Sequence, residues 1–179
     1  QRQMCIRDSL ERLIYRIAGN NAGKNKELMD SLKTTGKYEI TEDMKAQLSD
    51  FYGNYATEAE DAATIKELYE TCGYVIDTHT AVAKSVYDKY VAQTGDTTKT
   101  IIASTASPFK FNQSVLIALE DHNAVVGKDE FTLLKELSEK SNMQIPKSLY
   151  ELKDKSVVFD LVCDKDEMQQ IVSDFLMVE

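Results

Sequence analysis

Between Thr100 and Leu119 the chain reads TIIASTASPFKFNQSVLIAL. A short β-branched run ends in hydroxyls and a proline, then passes straight into a helical pattern. Ser104, Thr105 and Ser107 are neutral hydrogen-bond donors. At the end of a buried strand they could meet a ligand, because open α/β sheets bind ligands beyond the carboxyl ends of their strands. The N-terminus of the following helix would add partial positive charge and free N–H groups. Thr105 sits at the strand-to-helix turn with its hydroxyl free to donate. The same residues also suit a plainer part as turn and capping hydroxyls. Ser107 is placed as an N-cap, and Pro108 in the first turn loses no hydrogen bond. Spacing alone favours the plainer part.

Other chemistry-bearing residues are scattered. His79 and His122 stand apart, as surface or capping histidines do. Cys5, Cys72 and Cys163 are odd in number and widely spaced, which is neither a disulfide framework nor a zinc pattern. Such usage fits a reducing cytoplasm. No metal site is expected. The acids of Asp160–Glu167 (DLVCDKDE) lack the glycine and terminal glutamate of a calcium loop and belong at a helix N-terminus. Gly19–Gly23 (GNNAG) looks like a phosphate loop but follows a helix, so it reads as a C-cap and turn. Lys110 reads as a first-turn helix lysine.

These residues need elements to position them. Leu10, Leu13, Ile14, Ile17 and Ala18 recur at helical spacing, and Gly19 ends that helix. Short helices are expected over 26–34 and after Thr41. Thr57 with Glu60 makes a capping box for a helix that Gly73 stops. Asp77 or Thr78 caps the next helix, which runs to about Gln93 with Gly95 as its left-handed stop. Thr100–Ser104 is the best strand, short and buried on both faces. Helices follow from Pro108 to about Glu120 and over 129–140. Ser156–Val162 is a second strand, and 164–177 a final helix. The fold class is therefore α/β and helix-rich, yet two strands do not make an independent sheet.

A net charge of −9 argues against nucleic acid as a partner, since phosphate binding wants a basic face. No apolar run approaches the roughly 20 residues of a membrane-spanning helix, so no membrane partner is expected. With 179 residues the chain is long enough for one domain or a large piece of one.

Three segments together resemble one family. Ser9–Asn20 (SLERLIYRIAGN) is similar to a segment S-N-x-E-R-L-L-F of threonine synthases. Gly73–Ala83 (GYVIDTHTAVA) resembles their signature G-Y-x-x-D-P-H-T-A-V-A, and Ser104–Phe111 (STASPFKF) resembles T-A-H-P-A-K-F. The three occur in family order and span most of the chain from Ser9 onward. Thr78 stands where the family commonly has proline, and Ser107 where it commonly has histidine, which leaves the roles of both positions open.

The resemblance implies a partial tryptophan-synthase β-like domain, fold type II, with pyridoxal phosphate as cofactor. It implies a parent enzyme converting O-phospho-L-homoserine and water to L-threonine and phosphate. In that family the threonine matching Thr105 faces the pyridine nitrogen; Ser104 is carried over beside it as a cofactor contact, and His79 as a structural hydrogen-bonding residue. The family's Schiff-base lysine, in an aromatic-Lys-Asp context, has no match in this sequence, and Lys110 does not fill that role. The expectation is a C-terminal portion of the catalytic domain over 9–179, inactive alone, whose partner is the missing N-terminal half. Residues 1–8 read as a non-native, adaptor-like leader. Exposed apolar surface is then expected around the strand ending at Ser104 and the helix near Leu10. An alternative is a complete, non-catalytic interaction module built on the same half-fold. A serine or threonine dehydratase of the same fold type is a lesser alternative.

Overall fold

A computed structural model describes residues 2–158 and 161–177, with residues 2–8 as backbone only. Its elements are α1 (Arg2–Ile17), α2 (Ala22–Thr35), α3 (Glu42–Ala46), α4 (Glu58–Cys72), α5 (Thr78–Thr94), α6 (Asn112–Leu119), α7 (Glu130–Ser141), α8 (Lys147–Tyr150) and α9 (Met168–Leu176). Single 3-10 turns lie at Pro108–Phe111, His122–Val125, Glu151–Asp154 and Lys165–Glu167. The chain divides into two units, residues 1–61 with 82–102, and residues 62–81 with 103–179.

In the first unit the apolar stripe of α1 buries Ile14 and Ile17 against Leu28 of α2 and Met44 of α3. Gly19 and Asn20 take positive φ, so the chain reverses at once after α1. Asn21 then accepts the Lys24 N–H at 3.0 Å and caps α2. The GNNAG stretch is thus a helix-to-helix turn, as its position predicts. Thr57 and Glu60 form the expected capping box. The Thr57 N–H donates to the Glu60 carboxylate at 2.7 Å, and the Glu60 N–H donates to the Thr57 hydroxyl at 3.3 Å. The Lys89 ammonium lies 2.7 Å from the same carboxylate and donates to the Tyr55 carbonyl at 2.8 Å. The Tyr52 hydroxyl donates to Gln93 at 2.9 Å, so the irregular segment before α4 is pinned to α5 at two points.

The second unit has the larger core. Ile65 of α4, Val75, Ile76 and Ala81 pack with Phe109, with Val115 and Leu116 of α6, and with Leu133, Leu134 and Leu137 of α7. Asp129 caps α7 through the Phe131 and Thr132 N–H groups. The Asn112 side chain donates to the Glu130 carbonyl at 3.3 Å and joins α6 to the start of α7. α9 carries an apolar stripe at Met168, Val172, Phe175 and Leu176, each more than half exposed.

Both expected strands are corrected. Thr100–Ser104 has no strand hydrogen bonding, and Ile101 is 93% exposed rather than buried. Ser156–Val158 and Leu161–Val162 are likewise irregular, and residues 159 and 160 lie outside the described residues. A strand is made by a neighbouring strand that pairs its N–H and C=O groups. Among the described residues there is none, so the β-branched runs stay open; the helix-rich part of the expectation holds and the strands do not form among the described residues. Apolar exposure does fall near these runs and on α1, where Leu10 is 40% exposed.

Leu137→Ala, at a fully buried position, should cost about 2–5 kcal/mol in urea unfolding. Ile101→Ala should cost about 0.5 kcal/mol or less; equal losses would restore the buried strand. The Lys89 ammonium, then the Thr57 N–H and hydroxyl, hold the Glu60 carboxyl at about 2, below its ordinary 4.5. A depressed acid contributes stability above its unfolded pKa and loses it as pH falls through the folded one. The stability gap between wild type and Glu60→Gln should therefore be full at pH 7 and shrink from about 4.5 towards 2. A gap unchanged down to pH 2 would contradict the assignment.

Candidate functional site

The N-terminus of α5 and the segment at Ser104 meet within the second unit. Asp77 is fully buried. Its Oδ1 accepts the His79 N–H at 2.8 Å and the Thr80 N–H at 3.3 Å, so it is the N-cap of α5. Its Oδ2 accepts the Thr80 hydroxyl in a short hydrogen bond and the Ser104 hydroxyl at 3.4 Å. The Thr80 and Ser104 hydroxyl oxygens are themselves 2.9 Å apart. One carboxylate thus gathers two backbone N–H groups and two hydroxyls, which accounts for its burial. The His79 Nδ1 lies 3.4 Å from Asp77 Oδ1, and its ring tilts against Phe111 with centroids 4.9 Å apart.

Thr105 follows directly. It is exposed, and its hydroxyl has no hydrogen-bond partner among the described residues. Ser107 is spent as a cap, accepting the Phe109 N–H at 3.4 Å, with Pro108 in the first turn. Phe109 is 4% exposed and anchors that turn in the core. Lys110 is exposed, its ammonium 6.0 Å from the Phe111 ring. The structure therefore joins Asp77, His79, Thr80 and Ser104 in one cluster, leaves the Thr105 hydroxyl uncommitted, and keeps Lys110 out of that hydrogen-bonded cluster. Sequence reasoning left the cap between Asp77 and Thr78; the structure gives it to Asp77, and the tie to Ser104 was missed. The Asp-x-x-Thr spacing signals only the local half of that network; the rest is closed by a residue 27 positions away.

Comparison with known proteins decides the family. The family description "Threonine synthase, C-terminal" matches residues 80–172, a little over half of the chain. The chain belongs to the threonine synthase family. The match takes in Thr80, Ser104, Thr105 and Ser107, and starts just after Asp77 and His79. Human threonine synthase-like 1 (Homo sapiens) is 31% identical over 138 residues, 76% of this chain and 16% of that protein. Threonine synthase of Saccharomyces cerevisiae is 28% identical over 147 residues, 74% of this chain and 27% of that protein. A crystal structure of PLP-bound threonine synthase from Brucella melitensis superposes with a TM-score of 0.62 at 25% identity, over 92% of this chain and 30% of that one. The chain thus spans under a third of the length of these threonine synthase relatives.

Thr78 shows what one departure from the family pattern does here. It is the first residue of α5, 5% exposed, and its buried hydroxyl has no hydrogen-bond partner. Proline at this position removes the orphaned hydroxyl, and its missing N–H costs nothing in the first turn. Thr78→Pro is expected to raise stability by about 0.5–1 kcal/mol in thermal or urea unfolding. A clear loss would show that the Thr78 backbone or hydroxyl has a partner it needs.

Proposed function

We propose that this chain is the C-terminal part of a pyridoxal-phosphate threonine synthase of fold type II. The reaction of the whole enzyme turns O-phospho-L-homoserine and water into L-threonine and phosphate. The carrying observation is selective. Around the turn after Ser104 each neighbouring hydroxyl is engaged: Thr80 and Ser104 donate to Asp77, and half-buried Ser107 accepts the Phe109 N–H. Thr105 alone among them is exposed and uncommitted. That is the condition for a hydroxyl that donates to an acceptor brought from outside, and it fits the pyridine nitrogen of the cofactor.

Pyridoxal phosphate, when bound, supplies an electron sink for carbanions next to the amino group. Thr105 sets how strong that sink is. Its neutral hydroxyl donates a hydrogen bond to the ring nitrogen without the full charge stabilisation that an aspartate would give a pyridinium. Ser104, with its hydroxyl held inward, serves the site by fixing the backbone rather than by touching the cofactor. The lysine that carries the cofactor and a glycine- and asparagine-rich phosphate loop have no counterpart in this sequence. Both come, on this reading, from the rest of the same enzyme, and the exposed apolar residues at Ile101 and on α9 suit packing against it. The exposed, unpaired thiol of Cys72 suits a reducing cytoplasm.

Phosphate release from O-phospho-L-homoserine tests this. The 179-residue chain alone should release none. The holoenzyme expressed from the full gene should release it, and Thr105→Val should lower its kcat about tenfold, the worth of one such hydrogen bond, while Thr105→Ser keeps it. Robust turnover by the isolated chain, or a Thr105→Val holoenzyme as fast as wild type, would overturn the proposal.

A further inference from the structure

Thr105 is exposed and carries no hydrogen bond of its own, so something else must hold it still. The residue before it is held. Ser104 is exposed in overall area, yet its hydroxyl reaches back 2.9 Å to Thr80 and 3.4 Å to Asp77. Asp77 in turn is fully buried and bonded to the first turn of α5. On the other side of Thr105, the Ser107 cap and buried Phe109 fix the start of the next helix. Thr105 is thus a free hydroxyl clamped between two fixed points, and the upstream one runs through the Ser104 hydroxyl to Thr80 and to Asp77.

We infer that Asp77 and Thr80 are positioning residues for Thr105, aligning its hydroxyl through Ser104 without touching the ligand. The inference rests on the reading of Thr105 given above. A cap alone would need only the two N–H bonds to Oδ1. The second oxygen, Oδ2, is spent wholly on the two hydroxyls. That division gives α5 its cap and the Thr105 segment its anchor from one group.

The test separates local order from cofactor contact. Thr80→Val keeps the shape and removes the hydroxyl, Thr80→Ser restores it, and Ser104→Ala cuts the link from an exposed position where folding is safe. In the 179-residue chain, backbone order parameters by NMR at residues 104 and 105 should fall from about 0.85 to below about 0.6 in Thr80→Val and Ser104→Ala, and stay high in Thr80→Ser. Unchanged order in both variants overturns the inference. In the holoenzyme from the full gene, the absorbance maximum of bound pyridoxal phosphate should shift in Thr105→Val and Thr80→Val alike and return in Thr80→Ser. A shift in Thr105→Val alone overturns the coupling. No shift in either overturns the ring-nitrogen reading and, with it, the positioning role. The order parameters then tell the two failures apart, because they contain no cofactor.

Discussion

A carboxylate buried without partners would cost more than a domain of this size can spare. Asp77 is buried because four donors converge on it. Two of them begin α5, one is the Thr80 side chain, and one comes from Ser104, far along the chain. Removing either hydroxyl donor leaves Oδ2 less well matched, while the two N–H groups still hold Oδ1 at the head of α5. The start of α5 and the placement of the Ser104–Ser107 turn are consequences of satisfying this one group. The apolar side chains beside it supply the burial. Val75 and Ile76 precede Asp77 in the core of the second unit, and Phe109 follows the turn into the same core.

What could be read from sequence and what could not divides along distance in the chain. Thr57 with Glu60, Asp77 or Thr78 at the head of α5, Gly95 after it and Ser107 before Pro108 were legible, because caps join residues a few positions apart. The strands at 100–104 and 156–162 were misread because β-branched runs state a preference that only a pairing neighbour fulfils. The Asp77–Ser104 bond was invisible for the same reason in reverse: the sequence shows a cap, and nothing local shows that its second oxygen is used elsewhere. α9 was legible as a helix, and its apolar stripe gives no sign of what it packs against.

The family resemblance filled part of this gap. Thr105 would not stand out by composition, since Ser104, Thr105 and Ser107 are equivalent as hydroxyls. The structure separates them by what each already binds, and leaves Thr105 as the exposed one with no hydrogen bond of its own. Function in this account rests on that difference and on the family to which the chain belongs, not on the helical scaffold itself.

The most direct measurement is the nucleotide sequence of the gene upstream of the Ser9 codon. The account predicts an open frame that continues into an aromatic-Lys-Asp motif and a glycine- and asparagine-rich loop, the two parts of the cofactor site that Thr105 needs. A start codon and promoter immediately before this chain, or at Met4, would contradict it and leave a short protein whose cluster around Asp77 serves some other end.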